Sequence, residues 1–110
     1  MSNPVQFTWV DPTTNTDGSA LTAGEVTGYT IGVRDTTAAG SAAGTYPMLT
    51  PITDAAATSE ALSALTTLLV PGSYAAAIRV AGPVPSAWSV ETTFAITPPT
   101  PNAPTAFTAV

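Results

Sequence analysis

The chain contains no cysteine, no histidine and no lysine, and its only cations are Arg34 and Arg79. Each absence removes a class of chemistry. Without cysteine there is no disulfide framework and no thiolate metal site. Without histidine or lysine the usual general bases are gone, so the many serines and threonines have nothing to activate them as nucleophiles. The expectation is therefore a protein that is not an enzyme, with no catalytic, cofactor-binding or metal-ligating residues. A formal net charge of -5 with two cations argues against a nucleic-acid partner, whose phosphates require clustered Lys and Arg. It argues equally against anionic membrane surfaces. No apolar stretch approaches the ~20 residues of a membrane span. No basic segment followed by an apolar run suggests a secretory leader, and Met1-Ser2-Asn3 reads as a natural start.

What is present is small and polar. The 110 residues include 20 Ala and 21 Thr, so a hydrophobic fraction of 45% overstates the supply of large side chains. A single domain with a thin core is expected. Asp11, Asp17 and Glu25 share one loop, and oxygen ligands of that kind suit calcium. Their spacing is not that of an EF-hand, and loop carboxylates ordinarily cap turns. The remaining acids are scattered and do not suggest the facing pair that glycoside hydrolysis needs.

Strand periodicity dominates the chain. In Val5–Val10, residues Val5, Phe7 and Trp9 alternate with Gln6 and Thr8, as in a half-buried strand. Asp11–Glu25 carries turn chemistry throughout. From Val26 to Arg34, Tyr29, Ile31 and Val33 face inward. Thr36–Gly44 reads as a flexible hairpin tip, and Thr45–Thr50, with Pro47, as an edge strand at most. Asp54–Leu69 is ambiguous between strand and helix: Asp54 suits a helix cap and Ala61, Leu62, Leu65, Leu68 and Leu69 recur at helical spacing. A strand followed by a helical or irregular turn is favoured, because sheet context overrides local propensity. In Ser73–Ala81, Tyr74, Ala76, Ile78 and Val80 point inward, while Ala75, Ala77 and Arg79 point outward. Ser89–Ile96 places Val90, Thr92, Phe94 and Ile96 on one face. The expected core is Phe7, Trp9, Tyr29, Ile31, Val33, Tyr74, Ile78, Val80, Phe94 and Ile96. Tyr46 and Trp88 are a candidate exposed aromatic platform for stacking on a carbohydrate, although Trp88 packed over the sheet is the simpler reading.

Six segments in order resemble fibronectin type III domains. Phe7-Thr8-Trp9 resembles the second strand of that family and Asp11-Pro12 its end. Asn15-Thr16-Asp17-Gly18-Ser19-Ala20-Leu21 resembles the loop that follows in bacterial and phage members. Gly28-Tyr29-Thr30-Ile31 resembles the third strand, Pro71-Gly72-Ser73-Tyr74 the lead-in to the sixth, and Ser86-Ala87-Trp88-Ser89 the start of the last. The resemblance covers residues 5–97. It implies an all-β, two-sheet immunoglobulin-like sandwich over residues 1–97, with Tyr74 in a tyrosine corner. No Arg-Gly-Asp triplet is present, so integrin binding is not implied.

The resemblance departs from the family at its first strand, for which Met1–Pro4 leaves little room. A proline-rich spacer, residues 98–104, is followed by residues 105–110, which read as one more strand. The segment Asn102–Val110 looks like the family's first strand displaced to the C-terminus, with Pro104, Ala106, Phe107, Ala109 and Val110 as its assembly residues. Such a tail has three possible fates: folding back on its own sandwich, completing a neighbour's by strand addition, or belonging to a truncated second domain. Thr97–Pro104 spans roughly 25 Å at ~3.1 Å per residue, and its stiffness favours a neighbour over a sharp return. The expectation is a structural protein of a bacteriophage virion, a capsid decoration or tail accessory. It would assemble as a homo-oligomer or with other virion proteins. A carbohydrate-binding or spacer module of a bacterial extracellular protein is the alternative.

Overall fold

The computed structural model describes residues 3–110. Among these residues are two antiparallel sheets and one short 3₁₀ turn. In chain order the strands are β1 (Gln6–Thr8), β2 (Gly28–Asp35), β3 (Met48–Ile52), β4 (Ser59–Ala61), β5 (Gly72–Ala81) and β6 (Thr92–Ile96). One sheet is the pair β1–β4, and the other has the order β3-β2-β5-β6. The longest ladder joins β2 to β5, from Gly28 opposite Ala81 to Asp35 opposite Tyr74.

The packed centre lies on one face of the β2–β5 ladder. Tyr29, Ile31, Val33 and Tyr74 are buried. Phe7, Trp9, Ile78, Phe94 and Ile96 are partly buried and pack against a centre formed by Ile31, Val33, Leu65, Tyr74 and Ala76. Val80 is half-buried. Three aromatic contacts connect the small sheet to the large one or extend from it: Phe7 meets Phe94 edge-on at 5.5 Å, Trp9 lies 5.5 Å from Tyr29, and Tyr74 stacks on Phe94 at 5.7 Å. The Tyr74 hydroxyl donates to the Val70 carbonyl at 2.6 Å, fixing the approach to β5.

The ambiguous stretch resolves into strand β4 followed by the 3₁₀ turn Leu62–Ala64. Asp54 caps no helix. Its carboxylate accepts from the Ala56 amide in a turn, the arrangement that makes Asp compete with helix formation. Leu65 is buried while Leu68 is exposed, so the leucines do not form a helical stripe. The amide of Thr66 donates to the buried hydroxyl of Thr50, which seats this segment on β3.

Ala75 and Ala77 lie on the outer face with Gly32 and Arg34, yet both are buried, because that face of β2–β5 is itself covered. Two readings require correction. Val90 lies outside β6 and is 94% exposed, so it does not share the packing of Phe94 and Ile96. Residues 105–110 form no strand. Ala106 has φ 57°, a left-handed conformation that costs an L-residue of this kind about 1 kcal/mol and interrupts any extended run. Every residue from Thr97 to Val110 is exposed. The tail stretches the molecule to 78 × 30 × 21 Å with a radius of gyration of 18.7 Å, against ~13 Å for a compact chain of about 100 residues.

Candidate functional site

Two features stand apart from the packed centre: an open cleft beside β1, and a polar-aromatic cluster on the outer face of the large sheet. The cleft follows from the shortness of the β1–β4 sheet. β1 pairs with β4 through Gln6–Ala61, Phe7–Glu60 and Thr8–Ser59. The Val5 carbonyl accepts from Leu62 and the Trp9 amide donates to Thr58, so the odd-numbered residues direct their backbone groups toward β4. By the alternation of an antiparallel ladder, Gln6 and Thr8 direct theirs to the opposite edge, where no strand lies among the described residues. That edge opens on a cleft of about 560 Å³, walled by Phe7, Trp9 and Val10 on one side and by Ile78, Val80 and Val90 on the other. Phe7, Trp9 and Ile78 remain only half-buried because this side of the core is uncovered.

Asn3, ahead of β1, is tied to Thr97, just after β6. The Asn3 side-chain amide donates to the Thr97 carbonyl at 3.0 Å, and its oxygen accepts from the Thr97 amide and hydroxyl at 2.9 Å each. The start of β1 and the root of the tail are thereby held together. Beyond Thr97 the tail carries no charged side chain and leaves Phe107 97% exposed. Among the predicted assembly residues, Pro104, Ala106, Phe107, Ala109 and Val110 all lie on this exposed segment, and none contacts the cleft.

The outer cluster rests on missing side-chain volume. Gly32 opposes Ala77 and Arg34 opposes Ala75 across the β2–β5 ladder. Tyr46 occupies the space above Gly32: a Cβ there would lie 2.6 Å from its ring. The Trp88 ring meets Tyr46 edge-on at 4.7 Å, and the Arg79 guanidinium sits 4.5 Å above Trp88, within cation–π range. Arg34 holds both carboxylate oxygens of Glu91 at 2.8 Å, and the Tyr46 hydroxyl donates to the same carboxylate at 2.8 Å. These bonds, Arg34 first and Tyr46 second, draw the Glu91 carboxyl down to about 2. Burial is the main influence that pushes the Tyr46 phenol above its ordinary range.

This cluster changes the reading of Tyr46 and Trp88. Tyr46 is buried and its hydroxyl is committed to Glu91, so the two rings present no flat exposed platform for a sugar. Sequence reasoning missed Arg34, Glu91 and Gly32 altogether. A glycine in mid-strand is the signal that could have found the site, since it marks close approach of another group.

The loop carboxylates remain separate. Asp11 accepts from the Trp9 indole at 3.0 Å, Asp17 from Ser19, and Glu25 from Thr22. Among the described residues, no three acids converge in a way that could hold a metal ion. The Tyr29 phenol beside Asp11 is pushed up to about 12, first by burial and then by that carboxylate.

Comparison with known proteins gives no match to a family model, a curated protein or a solved structure.

Proposed function

We propose that this chain is a fibronectin type III-like sandwich module with a non-enzymatic structural role. Its place is a bacteriophage virion, as a capsid decoration or tail accessory, and it assembles through its C-terminal tail. The observation that carries the reading is the tail itself. An uncharged segment ending in Thr105-Ala106-Phe107-Thr108-Ala109-Val110 stands clear of the domain with Phe107 uncovered. Full burial of such a side chain is worth ~1.5–3 kcal/mol, which favours a bound state over the free one.

Support for the fold assignment comes from the strand order, the Tyr74–Val70 bond and the packing of Trp9 against Tyr29. The carbohydrate-binding alternative has less support, because Tyr46 is enclosed by Gly32, Trp88 and Glu91.

Deleting residues 98–110 tests the role of the tail. Sedimentation of the full chain is expected to give multiples of 11.0 kDa, and the shortened chain a monomer with an unchanged circular dichroism spectrum. An equal number of subunits in both particles would remove the tail from assembly. Immunodetection in purified virions tests the location, and absence from them would overturn it.

A further inference from the structure

We propose that the cleft beside β1 is the acceptor for the tail of a second copy of this chain, residues 102–110, which adds as a strand to the free edge of β1. The inference rests on the assembly reading above and deepens it by naming the receiving site.

Four observations converge. The backbone groups of Gln6 and Thr8 point away from β4, and among the described residues no strand occupies that edge. An unpaired edge is a ready template for another strand. The cleft beside it is lined by Phe7, Trp9, Ile78 and Val90, an apolar surface suited to an uncharged strand. In an extended tail, Thr105, Phe107 and Ala109 share one face, presenting one large ring between two small side chains. Ala106 lies at φ 57° in the free tail, and pairing would return it to the extended region that L-residues favour.

For an antiparallel strand, the ladder type of every strand pair described, geometry favours a second copy over the tail's own domain. Asn3 holds Thr97 at the start of β1. A tail turning directly into its own cleft would run parallel to β1. To run antiparallel it must first traverse Asn3–Val10, roughly 23 Å at ~3.3 Å per residue, and then reverse. The spacer before Thr105 reaches only roughly 25 Å at ~3.1 Å per residue, and its prolines resist the reversal. A neighbouring molecule meets neither restriction.

Two kinds of lesion test the pairing. Phe107→Glu disables the donor, while Val90→Glu fills the acceptor with charge. Both positions are exposed, so both variants should retain the native circular dichroism spectrum. Thr8→Pro is an independent acceptor lesion that removes an amide from the free edge. Native mass spectrometry of the full chain should show assembly, and each variant alone should be monomeric. Mixing Phe107→Glu with Val90→Glu should restore a one-to-one dimer, because one carries an intact cleft and the other an intact tail. No recovery in the mixture would overturn the inference. Assembly lost in Phe107→Glu but retained in both acceptor variants would place the tail elsewhere, overturning the inference while leaving the assembly reading intact. A wild-type chain that stays monomeric at every concentration would overturn both.

Discussion

Arg34 and Glu91 meet through two parallel hydrogen bonds of 2.8 Å, although 57 residues separate them in the chain. The pair spans from central strand β2 to the segment just before β6, and it lies over a face that the alternation assigns to solvent. Tyr46 shares the carboxylate, so the pair also anchors the segment leading into edge strand β3.

Glu91→Gln should therefore alter the acid limb of stability. The carboxyl of Glu91 lies at about 2 in the folded chain against an ordinary 4.5. A depressed folded value stabilises the fold above the unfolded value, and the contribution is lost as pH falls through the window from 4.5 to about 2. Thermal melts should show the wild type more stable than the variant at pH 6. The difference should shrink across that window and vanish near pH 2. A constant difference across the range would show that the charge of Glu91 is not what matters.

Gly32→Ala should destabilise the fold by about 1–3 kcal/mol, the usual cost of overpacking, since the new methyl meets the Tyr46 ring at 2.6 Å. In a Tyr46→Ala background the same substitution should cost much less. Urea melts of the two single variants and the double variant give the coupling. Additive effects would mean that Gly32 is needed for its backbone and not for the space above it.

The alternation makes β2 and β5 legible from sequence, because Tyr29, Ile31, Val33 and Tyr74 each have a polar or small neighbour on either side. It misleads about Ala75 and Ala77, which are buried because Tyr46 and Trp88 come from remote segments to cover the second face. A period-2 pattern records which face meets one core and carries no trace of a second. The Arg34–Glu91 pair is illegible for the same reason: only the β2–β5–β6 order brings its partners together. The tail resembles a first strand in sequence, yet a strand requires a partner ladder, and among the described residues of one chain the tail has none. The free edge beside the cleft has a trace in the sequence, the little room before Phe7 for a preceding strand, but the volume of the cleft has none, since it depends on the shortness of β1 and β4.

Tyr74→Phe isolates one hydrogen bond. Its hydroxyl donates to Val70 at 2.6 Å, and such a bond contributes ~0.5–1.5 kcal/mol net. The ring should stay stacked on Phe94, so near-ultraviolet circular dichroism should persist while the denaturation midpoint falls. An unchanged midpoint would show that the bond contributes nothing to stability.

Truncation at the centre should cost more than truncation at the cleft wall, despite the larger side chain at the wall. Ile31 is 2% exposed, and Ile31→Ala is expected to cost about 2–5 kcal/mol. Trp9 is open on one side, so Trp9→Ala should fall at or below the low end of the ~3–5 kcal/mol typical of an enclosed tryptophan. Equilibrium unfolding in urea ranks the two. A Trp9 penalty well above that of Ile31 would mean that the cleft is closed in solution.

The clasp between Asn3 and Thr97 makes the fold nearly a closed loop. Its polypeptide could be reconnected there by a short linker and opened instead at the turn around Gly40 and Gly44, both already at positive φ with open space where a Cβ would stand. The permuted chain would keep every strand neighbour it has now, while the tail could be attached at a pole of choice. The direction from which a neighbour is reached would then become independent of the order in which the strands are made.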